Sequence, residues 1–219
     1  MFDTDYHRVE QLLLANQREL PWFRFRTQRF LKRLFDVTAG SFLLLVSLPI
    51  MAITALAVKM TSPGPALFIQ TRLKDGARPF RMLKFRTMTD SPSHELKEVT
   101  GSDPRLTSIG AFLRASRLDE LPQLIHVLRG EMSLVGPRPD VPQNLSRYTD
   151  SQLLRFAMPQ GCTTWGVIRG GLLNDWSTRQ DMNAEYVWRW SFLLDLKILV
   201  KTVYVLLAQK GTEPESAEN

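Results

Sequence analysis

Cysteine is almost missing from this 219-residue chain. Cys162 stands alone, so no internal disulfide can form, which fits a reducing compartment. Histidine is scarce as well. His7, His94 and His126 lack metal-ligand spacing, which argues against a zinc centre. No internal repeat is found. The one long apolar run starts too late and is too long for a cleaved secretory signal, and no small-residue cleavage site follows it. That run is also where charge is missing. Val37–Val58 supplies 22 uncharged residues between Asp36 and Lys59.

A straight helix of that length measures about 33 Å, enough to cross a hydrocarbon core. Pro49 lies near its middle, with Ser47 two residues before, and a proline there kinks or breaks a helix. Two readings compete: a straight span, and a re-entrant helix that enters and leaves by one face. Cations flank both ends (Arg24, Arg26, Arg29, Lys32 and Arg33 before; Lys59, Arg72, Lys74 and Arg78 after). This leaves no asymmetry for the positive-inside rule and favours re-entry from the cytoplasmic face.

The net charge is +6, which suits nucleic acid, anionic lipid or phosphorylated substrates. Residues 6–20 read as an amphipathic helix ended by Pro21. Aromatics and arginines then alternate from Trp22 to Arg33, a pattern of membrane interfaces. Because the apolar run follows directly, lipid is expected rather than nucleic acid. Asp75-Gly76 predicts the turn of a β-hairpin over 66–88. Helices are expected over 108–117, 119–129 and 180–209, the last lying on the membrane or the domain, with mostly loop over 137–175. The expected class is α+β, mainly helical. It divides into an interfacial segment (1–35), a membrane helix broken at Pro49 (36–60), a catalytic domain (61–210) and a disordered tail (211–219).

Adjacent carboxylates, Asp119 and Glu120, precede Pro122, which fits only the first turn of a helix. Asp119 is thereby placed at or near the N-cap. The positive end of a helix keeps a carboxylate ionised and attracts phosphate oxygens, although simple capping stays open. Adjacent residues are poorly placed to flank a glycosidic bond, which argues against a glycosidase pair. Gly136-Pro137-Arg138-Pro139 holds an arginine between two rigid φ angles, suited to bidentate phosphate recognition. Arg114, Lys84, Arg86, Arg72 and Asp103-Pro104-Arg105 add cationic and polar groups. Cys162 has no paired histidine motif and reads as a packed residue.

In order, the chain carries Lys32-Arg33-x-x-Asp36, the proline-broken apolar run, Gln70-x-Arg72 and Lys84-Phe85-Arg86-Thr87-Met88. Asp103-Pro104-Arg105-x-Thr107, Arg114-x-x-x-Leu118-Asp119-Glu120-Leu121-Pro122-Gln123-Leu124, Gly130 to Pro139, and Ser191-x-x-x-Asp195-Leu196 follow. With these motifs it resembles the bacterial sugar transferase family of polyprenyl-phosphate phosphoglycosyl transferases, in the monotopic form without an N-terminal multi-helix membrane domain. The likeness covers residues 30 to 202.

The resemblance implies transfer of a sugar-1-phosphate from a UDP-sugar to polyprenyl (undecaprenyl) phosphate at the cytoplasmic face of the bacterial inner membrane. That reaction is a first membrane step towards a polysaccharide or glycoconjugate. Asp119 matches the nucleophile, Glu120 the Mg²⁺ holder, and Arg138, between Pro137 and Pro139, the arginine near the phosphates. Lys84, Arg86, Arg114 and Arg72 fall in motifs assigned to substrate binding. Homodimerisation is left open. The chain departs from the family pattern at Leu48, Lys74, Val167, Gly171 and Asn183.

Overall fold

The computed structural model describes residues 2–89, 105–169 and 175–207. Asp103-Pro104, Gly171 and the tail 211–219 lie outside these. Helix α1 (Phe2–Asn16) leads to a short α2 (Pro21–Arg24) and then to α3 (Arg26–Thr61). Pro21 does not close α1, which ends at Asn16, but opens α2, because its fixed φ suits a first helical position. Val9 and Leu20 of this N-terminal stretch are fully buried in the core.

The helix α3 runs through Pro49 as one helical element. Both of its ends touch the same folded body. Near the start, Lys32, Asp36 and Gly40 are buried, and a Cβ on Gly40 would sit 3.3 Å from Val127. Near the end, Val58 packs with Phe85 and Leu113. Between them Phe42, Leu45 and Ile53 are about two-thirds exposed, whereas Ser47 and Thr54 are buried. It is the one helix among the described residues long and apolar enough to cross a membrane, and 17% of its most apolar stretch is buried.

The expected hairpin forms from β1 (Leu67–Leu73) and β2 (Pro79–Phe85), antiparallel, with Phe68 opposite Lys84 and Arg72 opposite Phe80. Its turn is a 3-10 turn over Asp75–Ala77, with Gly76 at φ 64°, a conformation glycine reaches without steric cost. Helices α4 (Gly110–Ala115) and α5 (Gln123–Arg129) follow. Strand β3 (Ser133–Val135) pairs in parallel with β4 (Gly161–Thr163), and α6 (Asp150–Leu153) lies between them in sequence. At this pair the backbones touch: a Cβ on Gly136 would meet the Pro159 carbonyl at 2.4 Å, and one on Gly161 would meet the Gly136 amide at 2.0 Å.

The single helix expected over 180–209 is two helices, α7 (Trp176–Arg189) and α8 (Phe192–Leu207). The chain turns at Trp190, whose indole is buried in the main core and donates to Asp195. Apolar periodicity continued across this corner, so it concealed the break. The main core joins Leu20, Phe80, Met82, Val127, Met132, Leu134, Tyr186, Trp190 and Ile198, and so fastens both ends of the chain to the hairpin and to β3. Among the described residues the architecture is mainly helical with two small sheets.

Candidate active site

Strand alternation puts Arg72 and Lys84 on one face of the hairpin, because each is paired in register with a residue of the other's parity. Lys84 lies over the Phe68 ring, 5.4 Å from its centroid. Burial, then the repulsion of Arg72 and Arg114, lowers its ammonium pKa to about 8. Arg72 donates to Gln70 Oε1 and, at 3.2 Å, to the Pro139 carbonyl. It therefore ties β1 to the Pro-Arg-Pro turn.

Asp119 is not an N-cap. It sits in a 3-10 turn, Leu118–Glu120, and α5 begins only at Gln123 with Pro122 as its cap residue. The turn is entered through Arg117 in the left-handed region at φ 60°, a strained backbone for a residue with a Cβ. Asp119 is 6% exposed, and its Oδ1 has no hydrogen-bond partner among the described residues. Burial, then the charge of Glu120, raises its pKa to about 6, against the opposing pull of Lys84, Arg114 and Arg117. Cations, not a helix end, favour the ionised form here.

Glu120 Oε1 accepts from Arg138 Nη2 at 2.8 Å and lies 3.8 Å from Arg117. Those two guanidinium groups outweigh the cost of burial and hold its carboxyl below the usual range. Arg138 projects from the turn after β3, and the turn is supported from behind. The Arg138 amide donates to Asn183, and its carbonyl accepts from Arg155, which also donates to Gln180 and Tyr148. Asp140 accepts from Tyr148, Asn144 and Trp176, and its carbonyl accepts from the Leu73 amide.

Asp119, Glu120, Arg138, Arg72, Lys84 and Arg114 therefore share one electrostatic neighbourhood. Arg86 is placed otherwise. It is buried and donates to the Ser62 and Pro63 carbonyls and the Ser62 hydroxyl, closing the C-terminal end of α3 onto β2. Arg114 contacts Met88 Sδ at 3.8 Å. Ser47 donates to the Leu44 carbonyl one turn before Pro49. Burial holds the Cys162 thiol protonated, in keeping with a packed residue.

Sequence reading missed Arg117, Asp140, Tyr148 and Arg155, and it named Asn183 only as a departure from the family pattern, not as a support of the Arg138 turn. Asp140, the only acid directly following the Pro-Arg-Pro turn, was the available signal. A divalent cation fits this site only in one manner. Among the described residues no cluster of three or more acidic, histidine or cysteine ligands exists. Asp119 and Glu120 supply two carboxylates, one with an unpartnered buried oxygen. That set suits Mg²⁺, which is commonly bound by one or two carboxylates with substrate phosphates and water completing its shell.

The fold and site thus present a buried carboxylate ringed by cations beside an exposed apolar helix. Comparison with known proteins gives this arrangement its class. Residues 27–209 match the family described as bacterial sugar transferase. The chain belongs to that family. It is 40% identical over 183 residues to the "Uncharacterized sugar transferase EpsL" of Bacillus subtilis, covering 84% of this chain and 90% of that protein. It is 41% identical to the UDP-glucose:undecaprenyl-phosphate glucose-1-phosphate transferase of Caulobacter vibrioides, over 80% of this chain and 69% of the relative. The Escherichia coli protein of the same description is 38% identical over 80% of this chain, which spans 40% of that relative's length.

Proposed function

We propose that this chain transfers a sugar-1-phosphate from a UDP-sugar to polyprenyl phosphate at the cytoplasmic face of a bacterial membrane. The observation that carries the reading is the Asp119 carboxylate, buried, unpartnered at Oδ1 and surrounded by Lys84, Arg114 and Arg117. Sugar-1-phosphate transferases among the relatives support the substrate class. Incubation with a panel of UDP-sugars and undecaprenyl phosphate tests it. UMP release with one donor is expected, and no release with any would overturn it.

Asp119 Oδ attacks the β-phosphorus, and the bond from that phosphorus to the bridging oxygen of UMP breaks. UMP leaves with the electron pair, and a phosphosugar ester of Asp119 remains. An oxygen of polyprenyl phosphate then attacks the same phosphorus and frees the Asp119 carboxylate. Arg138 and Lys84 hold phosphate oxygens and offset charge as it develops. Mg²⁺, held by Glu120 with Asp119 adjacent, supplies further charge neutralisation when bound. Glu120→Gln is expected to slow UMP release by about 10²-fold and to raise the Mg²⁺ needed for half-maximal rate. A wild-type Mg²⁺ response would remove Glu120 from that role.

The rate should follow two titrations. Asp119 must be ionised, so activity rises through about pH 6. Lys84 must be charged, so activity falls through about pH 8. The groups facing them are Arg72, Arg114, Arg117, Arg138 and Glu120. A profile of kcat/KM against pH for the first half-reaction checks both limbs, and Lys84→Arg should remove the alkaline one.

Helix α3 enters one leaflet and returns, in our reading. Both ends packing on one body, with exposed apolar residues between them, supports this. Tags at residues 1 and 219 should both resist labelling in intact cells, and an exposed N-terminal tag would indicate a full span.

A further inference from the structure

A cleft of about 660 Å³ lies away from Asp119, between α2, the first turns of α3 and the Asp75–Ala77 turn. Its lining carries five cationic side chains against two carboxylates, and none of the catalytic residues. Both carboxylates are engaged. Asp36 accepts from Ser133 and the Leu134 amide, and Asp75 pairs with Arg78 at 2.7 Å. Lys32 and Arg33 are also committed, to Asp195 and to the last carbonyls of α5.

Two arginines remain. Arg26 makes no hydrogen bond or ion pair among the described residues, and Arg29 only stacks on the Trp22 ring at 5.4 Å. Phe30, on the cleft wall, is 68% exposed, and exposed Leu31 and Leu34 follow it towards the apolar run. The cleft thus opens where a headgroup layer would begin if α3 is embedded as proposed above. Uncommitted guanidinium groups recognise phosphate oxygens through paired donors, and tryptophan and phenylalanine suit the interface above the chains.

We propose that this cleft binds the phosphodiester headgroup of an anionic phospholipid, held by Arg26 and Arg29 and distinct from the site of phosphoryl transfer. The test uses full-length protein in dodecyl maltoside, titrated with dioctanoyl-phosphatidylglycerol and examined by native mass spectrometry. One retained lipid per chain is expected, with about tenfold weaker retention in Arg26→Gln/Arg29→Gln. The single Arg26→Gln variant, which keeps the Trp22 stack intact, should lie between them. Lys59→Gln/Lys201→Gln, which removes the same charge elsewhere, should bind as wild type.

Equal retention by the cleft variant, or equal loss in the charge-matched control, would overturn the proposal. So would competition by inorganic phosphate at equal concentration, which would mark a free-phosphate site. Displacement of the probe by one equivalent of undecaprenyl phosphate would make this the acceptor's site instead. Retention is read whether or not UMP is released, so this proposal and the catalytic reading fail separately.

Discussion

Asp119→Asn is expected to lower UMP release by about 10⁴-fold or more, because removing the attacking group of a covalent mechanism abolishes the path rather than weakening it. The protein should nevertheless fold. Asn is isosteric, and the wild-type carboxylate is buried with Oδ1 unpartnered. Its folded-state pKa lies above its ordinary value of 3.8, at about 6, so the folded state binds a proton more tightly than the unfolded state. That group's contribution to stability is therefore lost as pH rises from about 4 to 6, and above this the wild type bears the full cost of a buried charge. Asn removes that cost, of the order of 3 kcal/mol at most. A melting temperature at pH 7.5 equal to or above wild type, together with absent UMP release, is the expected pair of results. Retained turnover would remove Asp119 as nucleophile. A lowered melting temperature would show that its charge is compensated in a way the geometry does not reveal.

Most of this site was legible from local chemistry. Asp75-Gly76 marked the hairpin, whose register brings Arg72 and Lys84 to one face. The prolines around Arg138 marked a fixed turn, and Glu120 meets that arginine at 2.8 Å. What local chemistry could not give was the environment of Asp119. Pro122 suggested a helix start, yet α5 begins only at Gln123, and the dyad sits before it in a separate 3-10 turn that Arg117, at positive φ, divides from α4. Likewise Arg86 reads as one more strand cation, whereas the three acceptors it finds lie 23 and 24 residues earlier in the chain. The supports of the Arg138 turn, Asn183 and Arg155, are 45 and 17 residues away. Pairings at such separations are decided by tertiary packing, and nothing in a window of neighbouring residues specifies them.

Lys32→Met is expected to be the most destabilising exchange outside the apolar core. Lys32 donates to Asp195 at 2.6 Å and to the Val135 carbonyl at 2.9 Å, and both charged side chains are almost wholly buried. Tyr186 and Trp190 also donate to Asp195, and Asp36, one turn along α3, holds Ser133 and the Leu134 amide. This network binds α3, β3 and α8 into one unit. Removing the ammonium leaves an uncompensated carboxylate in the core, at a cost of about 3–5 kcal/mol. For a chain of this size that corresponds to a fall of about 10 °C in melting temperature. Adding Asp195→Leu to Lys32→Met should recover part of the loss, because the stranded charge is gone, though Tyr186 and Trp190 then lack their acceptor. A single variant within 1 kcal/mol of wild type would show that the pair is not desolvated as its burial indicates. The same strand, β3, runs directly into the turn that presents Arg138. Loosening it should therefore reduce UMP release in Lys32→Met even at temperatures where the protein remains folded, and the double variant should regain rate only as far as it regains stability.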